Sequence, residues 1–178
     1  MLTALGLGAV QAAEPAPDPV MMGLRETVLA TKPGDIGLPP ARYAQKPWGV
    51  LMETGLEGRG AYTLVVIADG TTSLYFSKGG GIIGLGPHAE VRAASQAMLE
   101  TAARLQGHAG PTMSTPLPPA GNVYFYFLTA SGTLRYQAAE ELLGRGKDPM
   151  SELFYAGQAV ITQIRKVDEE RRGKAPTK

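Results

Sequence analysis

The sequence predicts an α+β fold: a five-stranded antiparallel sheet, ordered as a three-strand meander, a helix, a two-strand hairpin and a helix, with helices packed on it and an N-terminal helix and linker ahead of it. Three observations predict this. The β-prone runs are joined by links short enough only for hairpins, two later stretches repeat apolar residues at helical spacing, and the strand–helix–strand alternation that builds a parallel sheet is missing. The boundaries divide the chain into an N-terminal extension over residues 1–45, an α+β domain over 46–168 and a charged flexible tail over 169–178.

The extension opens with "MLTALGLGAVQAAEPAPDP". Its short apolar run and small residues fit a leader over residues 1–13, but no Lys or Arg precedes the run, so a cytoplasmic location is favoured over a secreted or periplasmic one. Asp18 and Pro19 read as an N-cap and first-turn pair, and Met21, Leu24 and Val28 follow at helical spacing, which predicts a short helix over 19–30. The connector "IGLPPARYAQKP" then runs extended, with Ile36, Leu38 and Tyr43 set to lie along the domain.

Within the domain, "WGVLMET" opens the sheet, "GLEGRG" turns the chain and "AYTLVVIAD" returns it. Asp69 and Gly70 supply a tight hairpin turn into "TTSLYFS", where Leu74 and Phe76 face one way and Ser73, Tyr75 and Ser77 the other. Pro87 suits the first turn of a helix. Val91, Ala94, Met98, Ala102 and Leu105 form that helix's apolar stripe, Arg92, Gln96, Glu100 and Arg104 its wet face, and Gly107 its stop. After a Pro-rich loop, "NVYFYFLTA" and "TLRYQAAE" form a hairpin about Ser131 and Gly132. The last helix begins at Asp148 and Pro149 and presents Leu153, Phe154, Gly157, Val160, Ile161 and Ile164 to one side.

Composition removes several chemistries. The 178 residues are 44% hydrophobic and 19% charged, enough for a core that needs no staple. Zero cysteines exclude disulfides, thiolate metal ligands and cysteine nucleophiles. Seventeen Lys and Arg against sixteen Asp and Glu give a net charge of +1, which provides no field for drawing in nucleic acid. No run approaches the roughly 20 apolar residues of a membrane-spanning helix.

The stretch "SKGGGIIGLGPHAEV" holds the one pattern with a phosphate-binding precedent. Gly79, Gly81 and Gly84 match G-x-G-x-x-G, and Lys78, Gly79, Gly80, Gly81, Gly84 and His88 are the candidate ligand-binding residues. The surroundings point elsewhere. The preceding strand closes a meander, the strand after the helix ends in "LTASG" without the acidic ribose partner, and Lys78 precedes the glycines instead of following them. The stretch reads better as a corner from strand to helix, anchored by burial of Ile82 and Ile83.

His88 and His108 flank the predicted helix, about 30 Å apart at 1.5 Å per residue, so they share no metal ion. Ser77 and Ser95 lack a nucleophile-elbow setting. Glu53, Glu57, Asp69 and Glu140 have turn or strand-end explanations, so no catalytic residue and no metal ligand is assigned, and no cofactor is expected. In "NVYFYFL", Phe125 and Phe127 share one face and Tyr124 and Tyr126 the other. With Tyr75, these tyrosines are the candidate interface residues, on a face that needs cover from the N-terminal helix or from another subunit.

The strings "WGVLMETG", "ADGTTSLYFSKGGGIIG" and "LFYAGQAVITQIR" resemble a family of uncharacterised bacterial proteins over about Trp48 to Arg165. That resemblance implies no activity and transfers no catalytic residue. More loosely, the order of elements resembles the roadblock, longin and profilin-like domains, which implies a dimerising scaffold or adaptor. Here three strands precede the middle helix and two follow, whereas roadblock domains place two before and three after. The expected function is a non-catalytic, self-associating interaction module whose partner is protein or a second copy. The alternative is a small-molecule or nucleotide sensor, or an enzyme, using the glycine-rich loop 78–88.

Overall fold

A computed structural model of the protein describes residues 16–173, so the leader expected over 1–13 lies outside the described residues. The extension forms α1 (Pro19–Ala30), whose N-cap Asp18 accepts hydrogen bonds from the amides of Val20 and Met21 at 2.9 and 3.0 Å. Two 3-10 turns, Pro33–Ile36 and Pro40–Tyr43, carry the connector to the domain. The domain then runs β1 (Gly49–Leu56), β2 (Gly60–Ile67), β3 (Thr72–Phe76), β4 (Gly81–Ile82), α2 (Ala89–Leu105), β5 (Gly110–Pro111), β6 (Asn122–Thr129), β7 (Gly132–Ala139), α3 (Glu140–Gly144) and α4 (Ser151–Gly173).

The α+β class and the open antiparallel sheet are as expected, but the sheet has seven strands in the order β4-β3-β2-β1-β6-β7-β5, not five. The two additional strands have two residues each and sit at the sheet edges. Each is too short to show alternation and contains a Gly, with Pro111 beside it in β5, of the kind that marks loops. β1 joins the two hairpins, pairing with β2 from Gly49–Ile67 to Leu56–Gly60 and with β6 from Gly49–Leu128 to Thr54–Val123.

Helix boundaries also shift. Pro87 lies ahead of α2, whose N-cap is His88, and a 3-10 turn over Gln106–His108 continues past its end. α3 was not expected from the sequence. The last helix starts at Ser151, three residues beyond the expected Asp148, whose carboxylate instead accepts the Met150 amide at 2.8 Å in the turn ahead of it, and α4 continues without a break through Gly173.

Strand alternation builds two cores, one on each side of the sheet. On the first, Val50, Met52, Leu64, Leu74, Phe125 and Phe127 meet Val91, Met98 and Ala102 of α2 and the apolar side of α4. The close seat of α4 depends on Gly157, where an added Cβ would stand 2.5 Å from Met52 Sδ. On the second, Leu51, Val65, Ile67, Tyr75, Tyr126 and Leu128 pack with Trp48 and Tyr43, and the cover comes from Met21, Leu24 and Val28 of α1 and Ile36 and Leu38 of the connector. The N-terminal segment is thus a strap across the second face. Both faces of the central strands are buried, which explains near-continuous apolar runs such as "TLVVI" in an antiparallel sheet.

Candidate functional site

The glycine stretch does not form one loop. The Phe76 amide donates to Gly80 O at 3.0 Å at one end of β3, whereas the Leu85 amide donates to Thr72 O at 3.3 Å at its other end. Between them Gly81 and Ile82 run back along β3 as β4. Gly79 and Gly80, with φ of 110° and 83°, make the turn at the first end, while Gly84 lies beyond β4 toward the second. The glycines of the fingerprint therefore occupy both ends of a strand pair and do not converge on one point, as a cradle for pyrophosphate requires.

The remaining candidates follow this division. Lys78 Nζ donates to Gly58 O at 2.9 Å, beside the β1–β2 turn. His88 Nε2 accepts from Arg171 Nη2 at 2.8 Å, a contact that holds the start of α2 against the far end of α4. His108 is exposed in the turn after α2. The expected anchor also differs: Ile83 is 54% exposed, and Leu85, fully buried, fills the core in its place. Next to it, Gly86 passes so close to the β2–β3 turn that an added Cβ would lie 1.8 Å from Gly70 O.

The tyrosines lie on the second face, as their alternation requires. Tyr75 and Tyr126 are buried beneath the strap, and Tyr124 is half-buried at its margin. In the middle of this face stands Glu53, which strand-end reasoning had set aside. It is fully buried and accepts hydrogen bonds from Arg25 Nε at 2.5 Å, Arg25 Nη2 at 2.8 Å and Thr63 Oγ1 at 2.8 Å. Arg25 reaches it from α1 with only 4% of its surface exposed, and it spends its remaining reach on Thr115 O at 2.7 Å.

Electrostatics bind these groups to one another. Burial works against the Arg25 charge, but the hydrogen bonds and charge of Glu53 outweigh it and hold the guanidinium above its ordinary range. The guanidinium carbon sits 5.7 Å from the centre of the Tyr126 ring, and Tyr126 donates to Pro116 O at 2.6 Å. Burial first, and the Glu53 charge second, push the Tyr126 hydroxyl up to about 12. The result is a polar lock between strap, sheet and the Pro-rich loop. Its sequence signal was weak: Arg25 interrupts the apolar stripe of α1, and Glu53 interrupts β1, but nothing local joins them.

Among the described residues no cluster of His, Asp and Glu has the geometry of a metal site, and no helix is long and apolar enough to cross a membrane. Comparison of the chain with protein-family models, with curated proteins and with solved structures returned no match.

Proposed function

We propose that the protein is a non-catalytic interaction module that self-associates through its second sheet face when the N-terminal strap lifts. One observation carries the reading: around the buried Glu53 that face sets the apolar side chains of Leu51, Val65, Ile67, Tyr75, Tyr126 and Leu128, yet its cover is a single helix and a connector from the extension. The covering side chains Met21, Leu24, Val28, Leu29, Ile36 and Leu38 are only partly buried, whereas Leu51, Val65 and Tyr126 beneath them are fully buried. Among the described residues of this cover only Arg25 and Tyr43 are buried in the face, and its firmest tie is the Arg25–Glu53 pair. A bared face of this kind needs a partner, and a second copy offers the same face about a two-fold axis.

The test compares the full chain with one beginning at residue 46, by light scattering and thermal melting. The shortened chain is expected to gain mass and to melt at lower temperature, and a peptide spanning 16–45 added in trans is expected to return it to the original mass. Unchanged mass together with unchanged melting contradicts the proposal.

A further inference from the structure

The end of the sheet that carries the β2–β3 turn opens into a cleft of about 1280 Å³. Its first wall is the wet side of α2 from Arg92 to Arg104, its second the connector from Arg42 to Pro47, and the turn at 67–71 and the loop at 83–87 close the ends. Gln106 Nε2 donates to Gln45 O at 2.9 Å and fixes the separation of the two walls. The glycine turn at Gly79 and Gly80 is not part of it.

Three features of the lining point to one kind of occupant. Tyr43, Ile67 and Tyr75 are almost fully buried and, with Leu99, supply an apolar floor. Ser73 also lines the cleft, is fully buried, and its Oγ has no hydrogen-bond partner among the described residues. A buried hydroxyl left in that state is costly, and a ligand oxygen would relieve it. The rim is basic: four Lys and Arg side chains line the cleft against two acidic ones. Arg104 is engaged by Glu152, and Arg92 donates to Gly86 O at 3.2 Å. Asp69 is held by the Thr71 amide at 2.7 Å, and Glu100 by Gln96 at 3.1 Å. On the connector, the Arg42 side chain has neither hydrogen bond nor ion pair among the described residues, and the Lys46 ammonium lies over the Tyr43 ring, 5.6 Å from its centre.

We propose that this cleft is a binding site for an amphipathic organic anion. Arg42 and Lys46 hold its carboxylate or phosphate head, its apolar body lies over Tyr43, Tyr75 and Leu99, and the Ser73 hydroxyl donates to an oxygen that enters the floor. Head and body are both needed, because exposed cations alone bind an anion weakly in water, while the apolar floor alone does not select for charge. Since one wall belongs to the strap, an occupant would also hold the strap down.

The experiment titrates the full chain with decanoate and with decyl phosphate, below micelle formation, and follows backbone amide resonances. Decanol and inorganic phosphate serve as body-only and head-only controls. At least one of the two anions is expected to shift the amides of residues 43–46, 68–71 and 95–104 while leaving 78–80 in place, and their relative affinities identify the head. Arg42→Glu with Lys46→Glu is expected to weaken binding roughly tenfold. Ser73→Ala is expected to weaken it a few-fold without altering the rest of the spectrum. Lys147→Glu with Arg165→Glu, away from the cleft, should leave affinity unchanged. The proposal is overturned if neither anion shifts these amides, if decanol binds as well as the anions, or if the Arg42 and Lys46 reversal leaves affinity intact in a folded protein.

Discussion

Replacing Arg25 by Met tests the polar lock most sharply. The change removes two charge-assisted hydrogen bonds to Glu53 and one to Thr115 O, and it leaves a fully buried carboxylate with Thr63 as its remaining partner. Breaking a buried ion pair from one side costs about 3–5 kcal/mol, a large share of the roughly 5–15 kcal/mol that holds a domain folded. Removing both charges, as in Arg25→Met with Glu53→Leu, leaves no stranded ion and is expected to lie within about 1.5 kcal/mol of the parent. Urea denaturation reads the difference: at a slope near 2 kcal/mol per molar, the single variant should lose roughly 2 M in midpoint and the double variant should regain most of it. The coupling then follows from the double-mutant cycle. A single variant that costs less than about 1 kcal/mol would mean that Glu53 is already hydrated, and the strap could not be locked as described.

Further expectations follow from particular contacts. Gly86→Ala places a methyl group against Gly70 O and should cost about 3 kcal/mol in chemical denaturation, whereas Gly107→Ala, with open space around it, should change stability by less than about 0.5 kcal/mol. Gly55→Ala, whose Cβ would stand 2.1 Å from Pro119 O, should behave like Gly86→Ala and also release the Pro-rich loop from β1, seen as faster amide exchange at Gly121. Tyr126 binds its proton more tightly folded than unfolded, because its hydroxyl is pushed up to about 12. Its contribution is therefore whole below pH about 10 and is lost at up to about 1.4 kcal/mol per pH unit as pH rises from there toward about 12. Measured against pH, Tyr126→Phe should show a shallower alkaline decline than the parent, and parallel curves would argue against the assignment.

The parts of the fold legible in the sequence are those set by local chemistry. Asp69 and Gly70 encode their hairpin directly, through the Asp69 bond to the Thr71 amide and the 98° φ of Gly70. Asp18 and Pro19 start α1 where their types imply, and the stripe of α4 is buried from Leu153 to Ile164. What was not legible depends on residues far apart in the chain. β4 and β5 exist because β3 and β7 offer them edges, and no two-residue pattern announces that. Ile83 and Leu85 are equally apolar, and only the path of the loop decides that Leu85 turns inward. Glu53 looked like a strand-end acid because its partner lies 28 residues earlier on a separate helix. The wet face of α2 is polar, as read, but the connector across from it makes that face the wall of a cleft.

In the proposed function the strap is a separable cover over a finished sheet. Native-state amide hydrogen exchange on the full chain addresses it directly. If the strap lifts as a unit, the amides of Gly23 to Leu29 should exchange through one shared opening that costs several kcal/mol less than the opening of β1, β2 and β6, and Arg25→Met should lower the strap's opening energy while leaving the gap to the strands wide. Equal protection in α1 and the central strands, falling together in that variant, would show that strap and sheet unfold as one body and would contradict the claim.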